Sequence, residues 1–478
     1  MGNSKSSTAR VEWKGPFSDE EYECLKAKFN ETIALVSSEA AASANLQRWL
    51  ELPLLAAAPK ELTASCRRLG SAFYLFCLQT EESEESNGKL QMKNFAQGGE
   101  RPISGSLRVL VNVSFFRIFS LSPLYAVAQC VRASPQSICQ SLFRLFAENV
   151  QATAMTEQEL GQMLFACLLM ADGEEVEDAG RVAHVANALA RAVMPPVAGS
   201  THATSDDFVR WIGAQFPLLY TIFMSWMARK SFESLTKSSY EMPRLSHRSA
   251  ILARSHFVAL STVTTSMQTS LSRLYTSLQD GLSFNRLSYH ILGYSGPTLT
   301  VIQDAEGAVF GMFCDTEWKE SSRYYGGNGC FLFRMEPEIN IYRVSASGSN
   351  ENYMYLNSKG FALPRGLGIG GSTKKFRLFL SEDLDEHSYT TSQCLSFEPG
   401  RLSSSEQFMV GAIEVWGCGG AQGELDQKAH RQETANLINR ARKVDKAQFA
   451  GNDFDKQMFL GKTFGHGTDR ARVTDDEH

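Results

Sequence analysis

The 478-residue sequence predicts an α+β protein: an all-α N-terminal region, then a β-sandwich flanked by helices, then a C-terminal helix. Three observations carry this. Apolar residues recur at three- and four-residue spacing behind capping boxes through the first half. Short apolar runs alternate with turn residues between Leu299 and Trp416. A mildly basic helical stretch follows the last of them. The length exceeds what one hydrophobic core serves, so more than one domain is expected.

Residues 1–16 read as a flexible N-terminus. Met1-Gly2-Asn3-Ser4-Lys5-Ser6 fits the pattern for N-myristoylation at Gly2, which would bring the chain to a membrane surface. A single acyl chain gives only marginal, reversible binding, so a second contact is required. Lys5, Arg10 and Lys14 are too sparse to supply it, and no cysteine lies near Gly2 to carry a palmitate.

Residues 17–241 form the α-helical region, with room for a split near 80–105. Ser18 and Glu21 make a capping box ahead of Tyr22, Leu25, Phe29, Ile33 and Val36 at helical spacing. Leu50 to Leu78 continues in helical segments until the acidic run from Glu81 to Gly88. Ser134-Pro135 starts another helix, and Thr156 with Glu159 makes a second capping box. Two apolar stretches, Val109–Val131 and Phe208–Ala228, are interrupted by Arg117 and Pro123 and by Arg210, Gln215 and Pro217. A membrane span tolerates such residues poorly, so both read as buried helices. The acidic segment from Asp172 to Asp178 has the wrong spacing for a calcium loop. The helices therefore read as degenerate and EF-hand-like, without calcium.

The character changes after Met242. One more helical stretch, Ala250 to Leu274, leads into strand-like runs at Leu299–Ile302, Val309–Phe313, Cys330–Met335, Ile339–Val344, Tyr353–Leu356, Phe376–Leu380, Cys394–Phe397 and Ala412–Trp416. Their number and punctuation predict a sandwich. Residues 419–450 hold a C-terminal helix, centred on 424–446, with Leu437, Ile438, Ala441 and Val444 along one side and Arg440, Arg442 and Lys443 beside them. The tail 451–478 is polar and reads as disordered.

Composition narrows the function. Hydrophobic residues make up 43% and charged residues 21%, the balance of a globular protein. A net charge of -5 argues against a protein built to coat nucleic acid. The ten cysteines form no C-x-x-C pair and no zinc-site spacing, and read as reduced core thiols of a cytosolic protein.

Residues 242–418 resemble the TLDc domain family. The resemblance rests on Leu274-Tyr275 leading to Asp280-Gly281-Leu282-Ser283, Gly296-Pro297-Thr298-Leu299, Phe310-Gly311 and Glu317-Trp318. It continues through Gly327-Asn328-Gly329-Cys330-Phe331, Asn352-Tyr353, Leu367-Gly368-Ile369-Gly370-Gly371 and Ile413-Glu414-Val415-Trp416-Gly417. With the Met-Gly start and the helix after the domain, it is most similar to the lysosomal, mTOR-associated branch. The resemblance implies a non-enzymatic adaptor, without a cofactor, that binds the vacuolar-type proton pump (V-ATPase). It further implies a peripheral location on the lysosomal or vacuolar membrane, a role in oxidative-stress resistance, and TOR-complex components as partners.

Individual residues are weighed against that frame. Gly366-x-Gly368-x-x-Gly371 matches the dinucleotide fingerprint, but the following Lys374 to Leu380 reads as a strand where that motif needs a helix. Close approach and positive φ at a sheet corner explain the glycines better. Cys314, His290 and Asp304 could compose a nucleophile, base and orienter, and a thiol-based antioxidant enzyme or redox sensor is the alternative reading. No activating motif surrounds them. Trp318 and Trp416 read as core residues on strands. Glu414, between Ile413 and Val415, is expected to be exposed or hydrogen-bonded. The C-terminal helix either packs on its own domain or docks on a partner.

Overall fold

The computed structural model describes residues 16–33, 39–52, 60–77, 124–148, 153–171, 178–196 and 200–451, apart from 125, 236, 349, 361, 385 and 386. Gly2, the stretch 81–88, most of Val109–Val131 and the tail from 452 lie outside them.

Helix α1 (Asp19–Ile33) begins at the expected capping box: Ser18 N–H donates to Glu21 Oε2 at 3.1 Å, and Glu21 N–H to Ser18 Oγ at 3.2 Å. Then come α2 (Glu39–Trp49), α3 (Lys60–Arg67), α4 (69–77), α5 (126–131) and α6 (Pro135–Phe146). Ser134 caps α6 by accepting from Ser137 N–H, with Pro135 in the first turn. Helix α7 (Glu157–Ala171) is buried from Leu160 to Ala171 and forms the axis of this half. Around it lie α8 (Ala179–Val193), α9 (Ser205–Gln215) and α10 (Leu219–Phe232). Pro217 separates α9 from α10, and no helix among the described residues is long and apolar enough to cross a membrane.

The region is not wholly helical. Two three-residue strands, β1 (Ala154–Thr156) and β2 (His202–Thr204), pair antiparallel between the α6–α7 and α8–α9 loops. This is the layout of two helix-loop-helix units, and it shifts the loops away from 172–178. A twelve-residue calcium loop ending at Glu159 would put Val150 and Ala152 at its third and fifth positions, and one ending at Asp207 would put Ala198 and Ser200 there. Neither pair suits a cation site. The closing carboxylates instead cap their own helices: Glu159 accepts from Thr156 N–H at 2.8 Å, and Asp207 from Thr204 N–H at 3.0 Å.

The second half is a sandwich of two sheets. The larger has the order β3 (Arg244–Leu245), β4 (Ser270–Thr276), β13 (Val410–Gly417), β5 (Thr298–Asp304), β6 (Val309–Cys314), β7 (Phe331–Glu336), β8 (Asn340–Arg343). The smaller has the order β12 (Tyr389–Thr390), β11 (Lys375–Ser381), β10 (Gly366–Ser372), β9 (Met354–Asn357). Helices α11 (Arg254–Ser261), α12 (Ser277–Asp280) and α13 (Phe284–Ile291) flank the larger sheet, and α14 (Gly420–Gly451) closes the chain. Three expectations are corrected. The stretch 250–274 is only partly helical, because Leu271 to Leu274 lie in β4. Cys394–Phe397 is a loop with a single isolated bridge, from Phe397 to Val344 just after β8. Gly366–Ser372 is a full strand and not only a corner.

Both faces of the larger sheet are covered. Ile302, Phe310, Met312, Leu332, Ile413 and Val415 face the smaller sheet, while Leu299, Val301, Phe313, Phe333 and Trp416 face the helices. The helix-side core runs without a break from α1 into this sheet. Edge strand β8 is covered by the end of α9: Gln215 Oε1 accepts from Ile341 N–H at 2.6 Å, and Arg343 Nε donates to Ala214 O at 2.9 Å. Glu336 adds a second tie, 2.7 Å from His184 Nε2 on α8.

Candidate functional site

The central strand β13 carries Glu414 and Trp416 on the helix side of the sheet. Glu414 is fully buried. Its carboxylate accepts from Ser249 Oγ at 2.5 Å, from Ala250 N–H at 2.8 Å and from Trp416 Nε1 at 3.2 Å. A buried carboxylate must be satisfied in this way, and here it fastens the segment before α11 to the middle of the sheet. Of the two sequence expectations for Glu414, exposure is excluded and hydrogen bonding holds. Trp416 packs edge-on against Phe257 of α11, with centroids 5.2 Å apart. Trp318 is also core, but it sits in the loop after β6 and not on a strand; its Nε1 donates to Thr298 Oγ1 at 2.8 Å.

The other residues that carry the resemblance serve turns and packing. Asp315 accepts from Gly327 N–H and Gly329 N–H, each at 3.0 Å, and from the Cys330 thiol at 3.3 Å. A Cβ on Gly327 would meet Asp315 Oδ2 at 2.4 Å, so this cradle demands glycine. Gly311 lies in β6 beneath the Phe333 ring, Phe331 stacks on Phe313 at 4.9 Å, and Gly296 lies against Gly419. In β10, a Cβ on Gly368 would meet the Phe376 ring at 2.5 Å. Gly370 and Gly371 have φ of 69° and 75°. The glycines thus admit the aromatic cluster of Tyr355, Phe376 and Phe379 on the outer face of the smaller sheet. The chain continues into β11, so the helix N-terminus that would take a pyrophosphate is replaced by a strand.

No thiol centre is assembled from Cys314, His290 and Asp304. His290 stands 3.7 Å from Asp280, and Asp304 accepts from Glu306 N–H, Ala308 N–H and Ser403 Oγ. The neighbour of Cys314 is Cys330, across the β6–β7 pairing. Burial holds the Cys314 thiol well above its ordinary range, and burial pushes Cys418 up to about 12. Both are poor sources of thiolate. Ser249, Asp315 and the buried Arg377, which donates to Thr391 O and Gly400 O, escaped sequence reasoning. The partner of Ser249 lies far along the chain, those of Asp315 and Arg377 lie beyond the reach of any local motif, and no motif marks the three residues.

One exposed element remains, α14. Its first turns are clamped to the domain. Gly419 N–H donates to Tyr294 OH at 2.8 Å, Ser272 Oγ bonds Glu424, Ser295 Oγ bonds Asp426, and Gln427 Nε2 donates to His290 O at 2.6 Å. The Arg431 guanidinium lies 5.0 Å above the Tyr289 ring. Beyond that contact the helix leaves the domain. Residues 432–440 are all exposed, including Leu437 at 57% and Ile438 at 48%, with Arg440 and Arg442 beside them. The side chains of Ala441, Lys443 and Val444 lie outside the described set. From Arg431 to Gly451 the helix extends about 30 Å. The expectation that the helix packs on its own domain therefore holds for its first turns only, and its outer turns stand free of the domain.

Residues 245–419 match the family model described as the TLDc domain. MTOR-associated protein MEAK7 of Xenopus laevis is 36% identical over 147 residues, 30% of this chain and 31% of that one. The Homo sapiens protein of the same name is 34% identical over 159 residues, 33% of this chain and 34% of the other. Nuclear receptor coactivator 7 of Homo sapiens is 30% identical over 142 residues, 30% of this chain and 14% of that protein. The chain thus spans about a third of the length of the MEAK7 relatives it matches.

Proposed function

We propose that this chain, which carries a TLDc domain over residues 245–419, is a non-enzymatic adaptor that docks on a partner through the projecting part of α14. The observation that carries the reading is the division of that helix. A marginal isolated helix is held in register by five contacts with the domain, and its outer part presents two large apolar side chains and two arginines to solvent. The matched relatives are named for association or coactivation and not for a reaction, which supports an adaptor. The mTOR-associated relatives support a role in nutrient signalling, with TOR-complex components as partners.

The partner is the V-ATPase, met at the lysosomal or vacuolar membrane, with myristoylated Gly2 bringing the chain there. Oxidative-stress resistance follows as a consequence of pump regulation and not of thiol chemistry. The sequence resemblance supports the pump, and the burial of Cys314 and Cys418 weighs against a thiol catalyst. The test is affinity purification from membrane fractions, with mass spectrometry, of the wild type, Gly2→Ala and a chain ending at 431. Pump subunits should accompany the wild type, fall for Gly2→Ala and vanish for the truncated chain. Equal recovery with the truncated chain would reject docking through α14.

A further inference from the structure

The chain's net charge of -5 hides a local reversal at the β4 end of the larger sheet. Here α12 and α13 cover the sheet with their inward residues, Ser277, Phe284, Leu287 and Ile291, all buried. That satisfies the apolar stripe of α13. Yet Leu278 is 67% exposed, Leu282 42% and Tyr289 60%. The turn between the helices, with Gly281 at φ 81°, sets Leu282 outward two residues before α13. The two leucines are surplus to the fold, and Tyr289 stays largely exposed beside the Arg431 contact.

Arginines surround them. Arg273 donates to Arg248 O at 3.1 Å and to Gln279 Oε1 at 3.0 Å, which places its guanidinium beside α12. Arg286 donates to Asp280 O, under Leu282. Arg248 is exposed, whereas Arg431, over the Tyr289 ring, has its Nε and one terminal nitrogen buried and stands outside the patch. Arg273 and Arg286 thus direct these bonds to carbonyl and amide oxygens and not to carboxylates. Two acids lie nearby against the three arginines: Asp280 accepts from Thr276 N–H at 2.9 Å and stands 3.7 Å from His290, and Glu424 bonds Ser272.

We propose that this face seats on an anionic lipid surface. The arginines would meet phosphate and carboxylate headgroups, while Leu278, Leu282 and the amphipathic ring of Tyr289 enter the boundary beneath them. Leucines at a helix apex, a tyrosine and a ring of arginines make the composition of an interfacial contact. The patch would supply the second membrane contact that a single acyl chain at Gly2 requires. It rests on the membrane location in the proposed function but not on pump docking.

The test uses full-length Gly2→Ala protein, so that neither the acyl chain nor the pump takes part. Co-sedimentation is measured with vesicles of phosphatidylcholine alone and with added phosphatidylserine. Binding is expected only with phosphatidylserine and should weaken as salt rises. Leu278→Glu with Leu282→Glu should lower it by roughly tenfold or more, and Arg286→Gln by about fivefold. Arg286 is exposed, so unchanged circular dichroism of that variant excludes misfolding as the cause. Equal sedimentation with both vesicles, or indifference to the paired leucine change, would overturn the proposal. Capture by a polyglutamate peptide without sedimentation on phosphatidylserine would also overturn it, by assigning the patch to an acidic protein partner.

Discussion

Replacing Glu414 by alanine tests whether the sheet centre is organised as described. The carboxylate is fully buried and receives three donors, Ser249 Oγ, Ala250 N–H and Trp416 Nε1. Hydrogen bonds to a charged group contribute about 1.5–3 kcal/mol each, and their sum overstates the loss because neighbours relax. Glu414→Ala leaves these three neutral donors without an acceptor, at about 1–3 kcal/mol each before relaxation, so a loss of about 3 kcal/mol or more is expected. Glu414→Gln keeps one acceptor oxygen but turns an amide NH2 toward a donor, for about 2 kcal/mol. Urea unfolding followed by tryptophan fluorescence should show midpoints falling by about 1 M or more for alanine and by less for glutamine. Amide exchange at Ala250 should accelerate in both. A change within about 0.5 kcal/mol for alanine, or equal damage from both substitutions, would refute the clasp.

Three further outcomes follow from the same geometry. Gly368→Ala sets a methyl 2.5 Å from the Phe376 ring, so overpacking should cost about 1–3 kcal/mol in urea unfolding; no loss would show that the ring is free to move. Burial, and then the neighbouring His184, pull the His256 pKa from 6.5 to about 3, so the folded chain holds it neutral while the unfolded chain takes up a proton. Its contribution is therefore complete above pH 6.5 and is lost as pH falls, about 2 kcal/mol by about pH 5, and His256→Gln should flatten that slope in a pH series of urea midpoints. Maleimide labelling of the native protein should modify the partly exposed Cys24 and Cys394 first and reach Cys314 and Cys418 only on unfolding; fast labelling of Cys314 would restore the thiol reading.

Features with local causes were legible in the sequence. Ser18 with Glu21 and Thr156 with Glu159 are capping boxes in the structure as in the sequence. The box of Thr204 with Asp207 was missed because aspartate stands where glutamate or glutamine is the usual signal. Strands β5, β6, β7 and β11 announce themselves as apolar runs between turns. Strand β4 does not: both faces of its sheet are covered, so its burial lacks the two-residue alternation that separates strand from helix. Strand β10 is nearly bare of side chains because its glycines make room for rings on β11, a property of the pair and not of either segment.

The site divides along the same line. The apolar side of α14 and its basic neighbours could be read from spacing, though the helix runs from Gly420 to Gly451 and not only from 424 to 446. Where it leaves the domain could not, because Ser272, His290 and Ser295, which clamp it, lie more than a hundred residues earlier. Ser249 lies equally far from Glu414, which is why burial of that carboxylate was undecidable from its neighbours alone.

The most direct test of the account is the affinity of purified V-ATPase for the wild type and for Leu437→Asp with Ile438→Asp. Both positions are half-exposed and touch no core, so urea midpoints of the two proteins should agree within about 0.5 kcal/mol. Docking through α14 predicts that the paired substitution weakens binding by roughly a hundredfold or more at unchanged stability. Undiminished binding, or no binding by the wild type, would contradict it.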